Sequence, residues 1–319
     1  MIYECAPMEG VTGDLFRQAQ RLHFPAADRY YTSFLSPTSA RALSARELRE
    51  ADPKHNAGIH VVPQMMGHEP ADFNWMAGAL RDLGYDEVNL NLGCPSGTVV
   101  AKKKGAGLLG EFDLLKRMLD GIFDFCPLPV SVKTRLGVSE PEEFAALLEL
   151  YNDYPIRELI VHARVQTDQY RNRPNLEAFA PALERSRAPV CYNGDLFDAA
   201  AVRAIRERFP ALERVMLGRG LAANPGLIRE IETGEPPTAA ELKAFHDTLY
   251  ESTRARIPDR KALLYRMKEA WRYLGCSFED NAKALKQIRR AQRTEDYEAA
   301  VRFLFEACPV RAHPGFTGI

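Results

Sequence analysis

No run of apolar residues in this chain approaches the ~20 needed to cross a bilayer. The opening residues, Met1-Ile-Tyr-Glu-Cys-Ala-Pro7, lack the basic-then-apolar order of an export signal, so a cytoplasmic protein without a membrane partner is expected. Its six cysteines (Cys5, Cys94, Cys126, Cys191, Cys276, Cys308) are scattered and form no C-x-x-C pair. That spacing argues against a zinc site and a disulfide framework, fits a reducing compartment, and leaves no metal expected. No G-x-G-x-x-G follows the first apolar run, which counts against a dinucleotide-binding Rossmann unit. Net charge is also lacking. Lys and Arg number 42 against 43 Asp and Glu, so a general affinity for polyanions is not implied.

What is present begins with Glu87-Val-Asn-Leu-Asn-Leu-Gly-Cys-Pro-Ser96. Val88, Leu90 and Leu92 alternate with Glu87, Asn89 and Asn91, the period of a strand. Gly93 and Pro95 then end it, which leaves Cys94 at the C-terminal end of that strand. Taken alone, a cysteine is a small core hydrophobe. Two asparagines beside it and its strand-to-loop position point to a site.

Eight such runs alternate with helical patterns: Ile2–Pro7, Arg29–Phe34, Gly58–Met65, Glu87–Leu92, Val130–Arg135, Glu158–His162, Pro189–Asn193 and Arg214–Leu217. The helices are clearest at Glu142–Tyr154, with Ser139 and Glu142 at capping-box spacing, and at Asp113–Phe125 and Ala199–Phe209. Eight strand–helix units within residues 1–235 predict a parallel α/β fold closed as a (β/α)8 TIM barrel. After Gly234-Glu-Pro-Pro-Thr238 the pattern becomes all-helical, and a small helical domain is expected at 239–319, with Leu263, Leu264, Met267, Trp271 and Leu274 as one apolar stripe. Between Arg254 and Thr294 the chain has twelve basic and four acidic residues, which suggests a surface for a polyanion. The stretch from Pro309 reads as a loose terminus.

The strand ends share a polar set. In order they carry Ala6-Pro-Met-Glu-Gly10, Gln64, Asn91 with Cys94, Lys133 with Arg135, His162 with Arg164, Asn193-Gly-Asp195 and Gly218-Arg-Gly220. A single one could be a turn or a paired core residue. Together, at the same end of successive strands, they mark a site. Barrels often hold phosphate in the loops after strands seven and eight, here Asn193-Gly-Asp195 and Gly218-Arg-Gly220, where glycine admits close backbone approach and Arg219 offers a bidentate grip. Lys133, deeper, would face a ring system and stabilise negative charge there.

These motifs resemble the FMN-dependent dihydrouridine synthases that act on tRNA. The resemblance runs through Ala6-Pro-Met-Glu-Gly-Val-Thr12, Asn91-Leu-Gly-Cys-Pro-Ser96, Gly105-Ala-Gly-Leu-Leu109, Val132-Lys-Thr-Arg-Leu-Gly137, Val161-His-Ala-Arg164, Asn193-Gly-Asp195 and Met216-Leu-Gly-Arg-Gly-Leu-Ala-Ala-Asn-Pro225. Arg266-Met-Lys-Glu-Ala-Trp-Arg-Tyr-Leu-Gly275 resembles the family's RNA-binding tail. The resemblance implies noncovalent FMN, reduced by NADPH or NADH, and a monomer acting on tRNA. It implies that Pro7, Met8, Glu9, Gln64, Lys133 and His162 contact the flavin and that Asn193, Gly194, Asp195, Gly218 and Arg219 hold its phosphate. Cys94 would be the proton donor to a flipped-out uracil, with Asn91, Arg135, Arg164 and Tyr170 contacting the base or its neighbours.

The chain departs from the usual family pattern at Glu9, Gly13 and Arg171-Asn-Arg173, near the flavin edge and the substrate loop. This leaves the modified uridine open. Two other readings stay in view at this point. One is an FMN barrel acting on a small molecule, like a dihydroorotate dehydrogenase, which would not need the basic tail. The other is an RNA-binding protein without catalysis, which would not need Cys94, Lys133, His162 and Arg219.

Overall fold

The computed structural model describes residues 1–318. The strands are β1 (Ile2–Cys5), β2 (Arg29–Tyr31), β3 (Val61–Val62), β4 (Gln64–Met65), β5 (Val88–Leu92), β6 (Val130–Arg135), β7 (Leu159–His162), β8 (Val190–Asn193) and β9 (Arg214–Leu217). The helices are α1 (Asp14–His23), α2 (Ala45–Ala51), α3 (Pro70–Asp82), α4 (Gly97–Val100), α5 (Phe112–Phe125), α6 (Glu143–Asn152) and α7 (Leu176–Arg185). They continue with α8 (Ala199–Arg208), α9 (Arg219–Ala223), α10 (Leu227–Thr233), α11 (Ala239–Arg256), α12 (Arg260–Leu274), α13 (Ala282–Arg290) and α14 (Thr294–Ala307).

The chain forms two compact units. One comprises Met1–Pro7, Arg29–Asp195 and Phe209–Met216, and the other Met8–Asp28, Leu196–Arg208 and the chain from Leu217 onward. In the first, the strands are parallel and ordered β3-β2-β1-β9-β8-β7-β6-β5-β4. The expected third strand is broken at Pro63, which has no N–H to give a ladder. Its halves pair with opposite neighbours, Val62 with Tyr31 and Gln64 with Asn89. The Pro63 carbonyl accepts from Asn89 at 2.9 Å, and a further bridge joins Leu35 to Met65. The two ends of the sheet are therefore separated by a single residue, Pro63, and the ring closes as the (β/α)8 barrel.

Helix α6 starts differently from the expected capping box. Ser139 and Glu142 make no cap. The Glu143 carboxylate instead accepts from the N–H groups of Val138, Ser139 and Glu140 at 2.7, 2.9 and 2.8 Å. Burial alone would raise its pKa, but these three donors hold it below the usual range.

The N-terminal ends of the strands bury a charged cluster. Arg29 bonds Glu87 and, at 2.8 Å, Glu158, while Arg214 holds the other Glu158 oxygen at 3.1 Å. Tyr31 donates to Glu4 at 3.0 Å, with Arg29 3.9 Å from that carboxyl. Three carboxylates face three guanidiniums, the third being Arg157, whose Nε lies 3.8 Å from Glu87. Burial, and then the Glu158 charge, push the Glu4 carboxyl well above the carboxylate range.

The second unit is helical. Phe16 of α1 meets Phe245 of α11 edge-on at 5.6 Å, and Arg256 bonds Asp14 at 2.5 Å. Helix α11 opens on a capping box formed by Thr238 and Glu241. The apolar stripe expected on α12 is buried. Its Trp271 gives an indole N–H to the Tyr297 hydroxyl at 2.8 Å, which meets His246 at 2.7 Å. The expected loose terminus is not loose. Arg311 donates its N–H to Ser277 O at 2.9 Å, and Asn224 donates to Pro314 O at 3.2 Å. Carbonyls left unpaired at helix ends recruit the last residues.

The charged cluster makes a prediction with a defined sign. A carboxyl whose folded pKa is raised contributes stability that is full below the unfolded pKa of about 4.3 and is lost as pH rises through the folded value. Glu4→Gln mimics the protonated form. Its urea midpoint should match or exceed the parent's at pH 8, and the gap should close as pH falls toward 4. Arg29→Met, which strands buried carboxylates, should cost about 3–5 kcal/mol in the same assay.

Candidate active site

A row of amides runs across the C-terminal half of the barrel lumen. Asn89 Nδ2 donates to Ser131 Oγ at 3.0 Å, and Gln64 Nε2 donates to Asn89 Oδ1 at 2.8 Å. Asn91 Nδ2 then donates to Gln64 Oε1 at 2.7 Å. Each donor fixes the next amide's orientation, and the row ends with Asn91 Oδ1 pointing at main chain. That oxygen accepts from Gly93 N–H and Cys94 N–H, both at 3.0 Å. An amide acceptor for two successive N–H groups sets the turn that carries the thiol.

Cys94 is half-buried. Its carbonyl accepts from Ala106 at 3.1 Å, which folds the Gly105–Leu108 turn back onto it. Gly105 has φ +54°, and a Cβ there would lie 2.9 Å from Cys94 O and 3.0 Å from Cys94 Cβ. Glycine is required for that approach.

Lys133 pairs with Asn91 across the β5–β6 register. Its Nζ donates to Asn193 Oδ1 at 3.1 Å, and Asn193 Nδ2 donates to Met216 O at 2.8 Å. Burial, and then the neighbouring Arg135 guanidinium, push Lys133 down to about 8. A half-buried ammonium held by a neutral amide is poised for an anion. Gly194 follows with φ +149°, where a Cβ would meet Pro174 Cγ and the Tyr192 hydroxyl at 3.0 Å. Asp195 also has positive φ, 46°. Its carboxylate takes Arg164 Nη2 at 2.5 Å.

Arg164 is 2% exposed, and beyond Asp195 it bonds Asn172 O at 2.6 Å and meets His162 Nε2 at 3.1 Å. A guanidinium only donates, so His162 Nε2 accepts and the ring carries its proton on Nδ1. Arg135 is 0% exposed. It gives N–H groups to Gly93 O at 2.8 Å, Val165 O at 3.0 Å and Gln169 O at 2.9 Å. It thereby ties the Cys94 turn to the loop after β7. Tyr170, 56% exposed, lies over that guanidinium at 5.4 Å. Of the four residues expected at the base, Asn91, Arg135 and Arg164 are buried and bonded to the protein, and Tyr170 faces solvent. Main-chain carbonyls hold Arg135, and the carboxylate that orients Arg164 comes from Asp195, 31 residues on, a pairing visible only in three dimensions.

Pro7 ends the first unit's opening segment. Within the second unit, Met8 donates its N–H to Thr12 Oγ1 at 2.8 Å, and Glu9 is exposed. Gly218 caps α9, and Arg219 rests against Phe197 at 4.7 Å. Gly220 lies so close to the Leu196 carbonyl that a Cβ would be 2.2 Å away. Also in this unit, Lys283, Lys286, Gln287, Arg290 and Phe303 line a cavity of about 700 Å³ between α13 and α14, with Lys283 Nζ 5.1 Å from the Phe303 ring centre. Among the described residues, no helix is long and apolar enough to cross a membrane.

The model of the family Dihydrouridine synthase (Dus) matches residues 4–307. The chain belongs to the dihydrouridine synthase family. It is 31% identical over 261 residues to the tRNA-dihydrouridine(16) synthase of Pseudomonas syringae pv. tomato, covering 77% of this chain and 81% of that protein. The tRNA-dihydrouridine(16) synthase of Aquipseudomonas alcaligenes is 28% identical, with 91% and 95% covered. Among solved structures, morphinone reductase superposes with a TM-score of 0.50 at 13% identity, over 76% of this chain and 88% of that one, a likeness of fold.

The lysine of this synthase gives a pH test. Because its folded pKa is depressed, stability is full above the unfolded value of about 10.4 and is lost as pH falls through about 8. Flavin-free Lys133→Met should be more stable than the parent at pH 7 by roughly 1–3 kcal/mol, and the gain should vanish toward pH 10.5. Equal urea midpoints at both pH values would remove Lys133 from the lumen's uncompensated charge.

Proposed function

We propose that this chain reduces a uridine of tRNA to 5,6-dihydrouridine with FMN and NADPH, and that the uridine is number 16. The observation that carries the chemistry is a half-buried thiol at the end of β5, fixed by Asn91, beside a half-buried lysine that donates to an amide. Both relatives named above carry position 16 in their names.

The residues present fit FMN. Lys133 wants an anion, the Asn193-Gly194-Asp195 turn is free of a Cβ at its centre, and Arg219 is a half-buried cation in the second unit. Lys133, Gln64 and His162 would hold the ring system, with Pro7 and Met8 lining it. Asn193, Gly194 and Asp195 with Gly218 and Arg219 would hold the ribityl phosphate. Glu9 is exposed and is left a place at the rim. When bound, FMN supplies the hydride that reaches C6 of the uracil, and NADPH supplies the electrons that replace it.

The chain's own groups do the rest. Cys94 Sγ–H gives its proton to C5. Asn91 and Arg135 set the thiol's turn from either side and act as positioning residues. Arg164 fixes the His162 tautomer. Tyr170 is the exposed ring that meets the RNA, since an extruded base stacks readily on an aromatic side chain. The 239–319 segment supplies much of the tRNA grip through its basic helices. A small-molecule reductase would have no use for these.

Cys94→Ala should keep FMN and its reduction by NADPH, while transfer to tRNA falls by roughly 10²–10⁴-fold. Parent-rate modification by that variant would end the proton-donor role. In tRNA from a strain lacking the gene, dihydrouridine should be missing at position 16, and loss at a different position would move the assignment. Removing charge at Lys283, Lys286, Arg289 and Arg290 should weaken tRNA binding and flatten its salt dependence by about 0.7–0.9 in log–log slope per lost contact. NADPH oxidation should be unchanged. An unaltered slope in the folded variant would make this face merely solvated.

A further inference from the structure

The end of the chain converges on one arginine. The Arg219 guanidinium lies 4.7 Å from the Phe197 ring centre and 5.3 Å from that of Phe316, with the two rings 5.1 Å apart. Phe197 precedes α8, whereas Phe316 arrives from the carboxy terminus.

That terminal segment is fastened along its length. Arg311 donates its N–H to Ser277 O at 2.9 Å and its Nε to Cys276 O at 3.0 Å. Asn224 donates to Pro314 O at 3.2 Å, and Phe316 N–H donates to Phe197 O at 3.2 Å. The Phe316 ring stacks on Tyr273 at 5.9 Å. Gly315 is required where the segment passes the α8 loop, since a Cβ there would lie 2.7 Å from Phe197 O and 2.8 Å from Asp198 Cβ. The segment is shaped to bring an aromatic ring to a guanidinium.

A ring against the face of a guanidinium favours it electrostatically and restricts its orientation. An arginine gripping phosphate also gives up rotamer freedom, and one already held by two rings has given it up beforehand. We propose that the segment Pro309–Phe316 is a positioning element for the cofactor-phosphate site, with Phe316 presetting Arg219. The proposal rests on the reading of Arg219 as a phosphate ligand.

Riboflavin lacks the phosphate that FMN carries, so the two flavins separate this role from a general one. Each is titrated into full-length, flavin-free protein and followed by flavin fluorescence. Phe316→Ala should weaken FMN by roughly 5–30-fold, in line with a partly buried cation–π contact, and leave riboflavin unchanged. Phe316→Tyr, which keeps the ring, should bind FMN like the parent. Equal weakening for both flavins, or FMN binding that falls in Arg219→Ala and stays at the parent level in Phe316→Ala, would overturn the positioning role while the phosphate reading stands. Parent-level FMN binding by Arg219→Ala would overturn the phosphate reading and this inference with it.

Discussion

A closed ring of parallel strands gives its inward side chains one place to go. Successive residues alternate between faces, so every second residue of each strand enters a common lumen. Closure here depends on a stave broken at Pro63, whose halves pair with Tyr31 on one side and Asn89 on the other. Once the ring is shut, any polar residue pointing inward must find its partner among other inward residues. The rest of the first unit can be understood as the answer to that requirement.

The answer differs at the two ends. At the N-terminal end, formal charges compensate one another: Arg29, Arg157 and Arg214 face Glu4, Glu87 and Glu158. At the C-terminal end the compensation is by neutral amides. Gln64, Asn89 and Asn91 satisfy each other in a row, and Lys133 is left with the amide of Asn193. One end is electrostatically complete. The other holds a cation without a counterion, beside a thiol. Stability is concentrated at the first and reactivity at the second, the division seen generally in barrels of this type.

The arginines belong to the supporting structure. Arg135 ties the turn before Cys94 to the loop after β7 through three carbonyls, and Arg164 links His162, Asn172 and Asp195. A fork of fixed donors suits this work, because it fixes several main-chain segments in one plane. In the second unit Arg219 is itself supported, by rings from two distant parts of the chain. In each case a loop that would otherwise be free to move is fixed by a guanidinium.

By itself the sequence determined the periodic features. Alternation in Glu87–Leu92, the stripe on α12 and the recurrence of strand and helix follow from local chain geometry, and they specify a barrel followed by helices. It also determined which residue types stand at the strand ends, since those positions are set by counting along each strand. What only the tertiary structure decided is which of these residues face a ligand and which serve each other. Asn91, Arg135 and Arg164 are polar and at the right end, yet each is buried in bonds to groups far away in sequence. The capping of α6 by Glu143 and the docking of Phe316 on Arg219 likewise depend on donors and rings brought near by folding. A hydrogen bond is satisfied by whichever partner lies within about 3 Å. Distance in space, unlike spacing along a strand, is settled only when the ring has closed.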